Sequence, residues 1–477
     1  MGHKVGIYRQ KKTNYSKKTP YNPPFIFEEY PFKKDTITDK GNEIYASLRE
    51  LFKLMGMDLG NFGSAKWNPF GSFILPGEKV LIKPNFMRHF SGRPGGIKAL
   101  ITHGSLIRAV ADYVYIALKG RGRIIIADGP MDDGDFEKII KLSGLDKITE
   151  YYRRNANFEL EIYDLRQEKV LRRDDEVVEK IRLKGDPAGY TKVDLDSSSE
   201  FKRGGIDCRS LSGPDLKPEI LHLHHNKDKN EYLISNTLLE ADVILNLPKM
   251  KTHKRAGVTL ALKNMIGITG DRNWLPHRHT PCRSASSDTI KGAFFRLKKM
   301  AIGLLKTCLG ALIIPVIDNL RQFIGVTGSC IRRGDWYGND VIWRTILDVA
   351  YIVSYADKKG GLQDKKQRKI FVVVDGIIAG EGDGPVNPRP KPCGVLVAGF
   401  NDIAVDVVAT RLMGFDPLKI PKFKKISKEN LGKLCGFDFK KINCVSNIRD
   451  WDRPLEDIKG RCLAFKPHYG WKNNIEF

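Results

Sequence analysis

No two of the eight cysteines stand as a C-x-x-C pair, so the usual frameworks for structural zinc, an iron–sulfur cluster or a dithiol redox centre are missing. Cys208, Cys282, Cys308, Cys330, Cys393, Cys435, Cys444 and Cys462 are scattered along the chain and read as reduced thiols of a cytoplasmic protein. A secretory signal is lacking as well. MGHKVGIYRQKKTNYSKK has no apolar centre, and Gly6 breaks the myristoylation pattern that Gly2 would open, so residues 1–30 are expected to form a basic, disordered extension. Acidic residues are in short supply, 56 against 80 lysines and arginines, which leaves a formal charge of +24. Such a surplus is either a solvated surface or a surface for a negatively charged partner. Helix-turn-helix patterning, zinc-finger spacing and the aromatic-and-basic strand of RNA-recognition modules are all absent, which disfavours nucleic acid and leaves an anionic membrane or an acidic polymer.

Long apolar runs are also scarce. The stretch 300–317, MAIGLLKTCLGALIIPVI, has the length of the shortest membrane span, but Lys306 interrupts it and Pro315 sits near its end. With Arg296, Lys298 and Lys299 before it and Arg321 after it, it reads as a buried core helix or as an interfacial helix on an anionic membrane. It lies inside a basic insertion, residues 280–333.

What remains alternates between strand and helix patterns. KVLIK (79–83) is a strand after the Pro76-Gly77 turn, and a helix begins near Thr102, where Thr102 or Ser105 can cap it and Leu106, Ile107, Val110 and Val114 share one face. RIIIADG is a short continuous apolar strand of the kind buried in a parallel sheet. Residues 151–230 are charged and suit a smaller inserted subdomain, with strands at Glu159–Tyr163 and Thr191–Leu195. ADVILNLP and VTLALKNMIGI form a second strand–helix unit, the latter with its N-terminus near Gly257. IFVVVDG, the loop GEGDGPVNPRPKP, GVLVAG and a helix capped near Asn401 or Asp402 close the chain. The expected fold is α/β, a mostly parallel sheet with helices on both faces, its core split between residues 31–279 and 334–477.

In open α/β sheets, ligands bind beyond the carboxyl ends of the strands. The residues found there are polar: Lys83 and Asn85, then Asp128, Asp132 and Asp133, then Lys249, Lys251 and His253, then Asp375, Glu381 and Asp383. A helix N-terminus near Gly257 would offer N–H groups to an anion beside Lys249 and Lys251. Lys263 shares a helical face with Thr259, Leu260, Ile266 and Gly267, an apolar setting that lowers a lysine pKa and suits a base, a covalent nucleophile or an anion clamp. His253 is the natural proton carrier near neutrality, with His103, in THGS at a helix start, pointing to the same end. Lys83, Asn85, Lys249, Lys251, Asn264, Glu381 and Asp383 are the substrate-binding candidates. Asp128 and Asp133 are the candidates for a divalent metal, against the plainer reading of a turn. His222, His224, His225, His277 and His279 lack ligand partners at a metal-binding spacing and read as solvated loop residues.

The series KVLIKPNF, THGSLIRAVADY, GRGRIIIADGP, ADVILNLPKMKTHKRAGVTLALKNMIGI, GNDVIWRTILDV, DGIIAGEGDGP and VAGFNDIAVDVVATRLMGFDP resembles the family known as domain of unknown function 362. Members of that family often carry a ferredoxin-like cysteine cluster. This chain has none, so no iron–sulfur cluster is expected. His253, Ala256, Gly257 and Lys263 also match the H…AG…K spacing of the lactate racemase superfamily, where the lysine holds a nickel-pincer cofactor covalently; that likeness implies an earlier catalytic histidine at His103. Leu260-Ala261-Leu262 stands where the racemase has Gly-Gly before its lysine, so the cofactor does not carry over.

Two functions fit these residues. One is an enzyme on a small anionic substrate, a hydroxy acid or a phosphorylated or sugar-linked compound, using His253, Lys263 and His103 for acid–base chemistry. The other is a protein docking to an anionic membrane, acidic polymer or nucleic acid through its basic surface, peripheral to the membrane in the first case. The sequence leaves the oligomeric state open.

Overall fold

The computed structural model describes residues 3–32, 41–173, 176–213, 218–279, 328–429, 434–459 and 462–477, with isolated positions 316, 320 and 326. The strands Lys4–Arg9 (β1), Lys79–Pro84 (β2), Arg123–Asp128 (β3) and Leu160–Asp164 (β4) precede a hairpin of Glu168–Arg173 (β5) and Glu176–Arg182 (β6). Tyr190–Asp194 (β7), Leu211–Ser212 (β8) and Glu231–Ser235 (β9) follow. Then come Val243–Leu247 (β10), Lys249–His253 (β11), Gly257–Thr259 (β12), Arg278–His279 (β13), Lys369–Glu381 (β14), Arg389–Gly399 (β15) and Asn443–Ser446 (β16).

Ten of these form one sheet in the order β16-β1-β15-β14-β10-β2-β3-β4, with β11 beside β14 and β12 on β11. The run from β14 through β10, β2 and β3 to β4 is parallel throughout, whereas β15 is antiparallel to both β14 and β1. Continuous apolar strands such as VILNL, buried at every position, are what a sheet covered on both faces requires. Because side chains alternate across a strand, Val80, Ile82, Ile124 and Ile126 pack on one face with the helices Glu43–Leu54 and Gly104–Leu118. Leu81, Ile125, Ile244 and Val374 pack on the other with Ile342–Tyr355 and Asp402–Met413. The fold is therefore α/β with a mostly parallel sheet.

Within the charged stretch 151–230, β4 extends the main sheet, while β5–β6 and β7–β9 make separate two-stranded sheets. Apart from residue 316, the apolar stretch 300–317 lies outside the described residues, as does most of the basic insertion around it. Among the described residues, no helix is long and apolar enough to cross a membrane.

The expected disorder of residues 1–30 is corrected. β1 lies between β15 and β16, and Val5 and Ile7 are fully buried. The lysines around them raise the segment's average polarity and mask a short alternating strand. Beyond it, Tyr15, Tyr21 and Tyr30 are buried, and Arg108 anchors this arm. Its guanidinium pairs with Asp112 at 2.8 Å and donates to Pro20 O at 3.0 Å, Asn22 Oδ1 at 3.1 Å and the Tyr30 hydroxyl at 3.0 Å. Removing one partner of a buried ion pair strands the other, so Arg108→Ala is expected to cost about 3–5 kcal/mol, read as a lower midpoint in urea unfolding.

Candidate functional site

The segment after β10 departs from the expected helix. Gly257, at φ +75°, supports the tight β11–β12 hairpin in a conformation that L side chains resist, and Val258 and Thr259 continue as strand. Helix is confined to Ala261–Asn264, continued by a tighter turn over Met265–Ile268. The N–H groups at its start are also not free for a substrate. Asp406 accepts from Ala261 N at 2.6 Å and Leu262 N at 3.1 Å, so this carboxylate occupies the place that the sequence suggests for an anion.

Lys249, Lys251 and His253 alternate along β11 and are all buried, which puts them on one side of the strand. Their surroundings differ. Lys249 pairs with Asp375 at 3.0 Å and with the Tyr15 hydroxyl, which donates in turn to Asp375 at 2.6 Å. Lys251 is fully buried and, among the described residues, donates only to the carbonyl of Leu100, at 2.7 Å. Burial, followed by the charges of Lys249 and Lys263, holds its amine well below the usual lysine range.

Lys83 pairs with Asp128 at 2.5 Å and donates to Pro84 O at 2.9 Å. Asn264 ties the turn to the sheet. Its Oδ1 accepts from Asn85 at 2.9 Å, and its Nδ2 donates to Asn246 Oδ1 at 2.8 Å and Lys83 O at 3.2 Å. Gly267 passes so close that a Cβ there would collide with the Asp128 carboxylate and press on the Lys83 ammonium. Asn85 and Asn264 therefore serve as struts between β2, β10 and the turn.

Lys263 projects from this turn half-buried, with no hydrogen-bond or ion-pair partner among the described residues. Burial, then the charges of Arg272, Lys422, Arg255 and Lys83, push its pKa down to about 7. This is the apolar, depressed lysine that the sequence suggests, with cations as its main electrostatic neighbours.

The two histidines depart from their expected role. His253 Nδ1 accepts from Arg255 N at 3.0 Å and Ala256 N at 3.1 Å, and burial, then Lys263 and Arg255, hold the ring well below the usual histidine range. His103, rather than Thr102 or Ser105, caps the Gly104–Leu118 helix. Its Nδ1 accepts from Ser105 N at 3.2 Å, and its ring stacks on Tyr15 at 4.0 Å. Burial first, with Lys249 and Lys98 adding to it against Asp375, brings His103 down to about 3. An Nδ1 that accepts a backbone N–H leaves its proton on Nε2. Both rings are thus neutral Nε2–H donors, and neither carries a proton across neutral pH.

The acidic candidates already have partners. Asp128 holds Lys83 and Phe86 N, and Asp133 pairs with Arg88 at 2.6 Å. Among the described residues, no group of three His, Cys, Asp or Glu side chains is placed to hold a metal ion. Glu381 faces Lys391 at 3.2 Å and Lys466 N at 3.0 Å, and Asp383 faces His468 at 3.4 Å, so both point to the C-terminal segment. His225 and His277 are buried, not solvated, and His224 stacks on Trp274.

The structure thus brings Lys83, Lys251, His253 and Lys263 into one electrostatic neighbourhood, with His103, Lys249, Tyr15 and Asp375 beside it. No motif marks Tyr15, hidden in the basic N-terminal arm, or Lys422, which is fully buried. A neutral amine is the form that reacts with acylating reagents. Acetic-anhydride labelling of Lys263, followed by mass spectrometry, is expected to reach half its maximal rate near pH 7; a midpoint in the ordinary lysine range would refute the depressed amine.

The chain is similar to proteins already described. It is 21% identical over 393 residues to a thylakoid-associated protein of Synechocystis sp., covering 82% of this chain and 76% of that relative. A crystal structure of a Thermotoga maritima protein is 13% identical with a TM-score of 0.29, covering 72% of this chain; the chain spans only 53% of that one. Residues 80–188 and 199–411, which carry nearly every strand end described above, match a single family, and the chain belongs to that family, described as domain of unknown function (DUF362).

Proposed function

We propose that the chain is an enzyme acting on a small anionic compound, with Lys263 as its proton-exchanging group. The observation that carries this reading is the Lys263 amine itself, partnerless among the described residues and depressed to about 7 by burial and by cations. Structural lysines in this fold have carboxylates, as Lys83 has Asp128 and Lys249 has Asp375. A half-buried amine left without one is costly unless something negative completes it. An arriving anion favours the ammonium form, so Lys263 takes up a proton as the ligand binds. The ammonium then clamps the anion and can return its proton to an atom on which negative charge develops. His253 and His103, held as Nε2–H donors, orient the bound compound without changing charge.

Calorimetry in buffers of different ionisation enthalpy tests this reading. Binding of a small carboxylate, fully ionised at pH 7, is expected to be accompanied by proton uptake at that pH. Because the ammonium is the binding form, affinity should fall as pH rises through about 7. Lys263→Met should abolish both effects while the variant stays folded. Unchanged binding by that variant would sink the assignment.

The name of the Synechocystis relative and the net charge of +24 favour a second reading, peripheral association with an anionic membrane. Under it, the protein co-sediments with vesicles containing phosphatidylglycerol at low salt and is released as salt rises. No sedimentation at low salt would remove this reading.

A further inference from the structure

We infer that the compound bound at this site presents a phosphoryl dianion, received by Lys251, Thr259 and Lys263. The inference rests on the anion-site reading above and narrows it to one class of ligand.

Lys251 and Thr259 are directly paired across the β11–β12 hairpin, so their side chains stand on the same face. The Thr259 residue is 3% exposed, and its hydroxyl is a buried polar atom without a hydrogen-bond partner among the described residues. Buried hydroxyls almost always find a partner. One left open opposite a buried lysine marks the place of an absent group. Lys251 Nζ uses one donor position on Leu100 O, and its stem is held by the close approach of Gly380. Lys263 lies in the helical turn that follows the strand ending at Thr259, and its charge acts on Lys251. Asp128, the one carboxylate among the described residues that acts appreciably on Lys251, is itself bound to Lys83.

Donor capacity decides the ligand class. As ammoniums, Lys251 has two N–H bonds beyond the one to Leu100, Lys263 has three, and Thr259 adds its O–H. A carboxylate has two oxygens and a single charge, so it would leave one amine unneutralised and several donors empty. A phosphoryl group carries up to two charges and three strong acceptor oxygens on one centre. It matches both amines and the hydroxyl together. A hydroxy acid would satisfy Lys263 alone.

The test compares inorganic phosphate, malonate and L-lactate by calorimetry at pH 7 on the full chain. Phosphate is expected to bind about tenfold or more tightly than lactate. Lys251→Met and Thr259→Val should each weaken phosphate about tenfold while leaving lactate within about twofold. In the unmodified protein, phosphate should protect both Lys251 and Lys263 from acetic anhydride, which keeps the question answerable if a variant fails to fold. Lactate or malonate binding as tightly as phosphate, or phosphate protecting Lys263 but not Lys251, would overturn the phosphoryl assignment. The anion site itself would stand in either case if Lys263→Met abolished binding. Absence of binding by all three anions would overturn both.

Discussion

Asp406 accepts the N–H groups of Ala261 and Leu262, and Lys422 stands against it as its opposing charge. Burial pushes the carboxyl up and the amine down, and the charge of each partner opposes the shift of the other. The helix they cap runs only from Ala261 to Asn264, far too short to hold itself. Its position is imposed from outside, by Asp406 at its start and by the Asn264 hydrogen bonds at its end. Lys263 lies between these two fixed points, and the candidate site depends on both.

The second organising fact is the way positive charge is distributed at the strand ends. Burying an ammonium is expensive, and a matched carboxylate offsets the cost only where geometry is close. Lys83 and Lys249 meet that condition, at 2.5 and 3.0 Å. Lys251 and Lys263, flanking the same hairpin, do not. These four lysines are thereby divided into two that brace the sheet and two with no carboxylate partner among the described residues. That division cannot be read from composition, where all four count alike.

Much of the fold was legible in sequence because it follows from periodicity. The continuous runs RIIIA and VILNL predicted central parallel strands, the strand-end rule led to Lys83, Lys251 and His253, and the apolar spacing around Lys263 singled out that lysine. What escaped depended on tertiary context. VTLALKN has good helical spacing, yet Gly257 and the pull of pairing between Lys251 and Thr259 turned its first half into strand. His253 looked like a proton carrier because its type is one. The two backbone N–H groups that fix its Nδ1 come from the chain's own turn at Arg255 and Ala256, which spacing does not reveal. Tyr15 and Lys422 lie far along the chain from the motif and reach it only through the fold.

The place of β1 bears on how the molecule is assembled. Lys4–Arg9 is enclosed between Arg389–Gly399 and Asn443–Ser446, so it leaves the ribosome long before either partner exists. Until they emerge, its Val5 and Ile7 have no sheet to enter, and Tyr15 cannot reach Asp375. Closure of the sheet, and with it the environment of Lys249 and His103, is therefore a late event in folding, and partially synthesised chains would contain the parallel centre of the sheet without its finished edge.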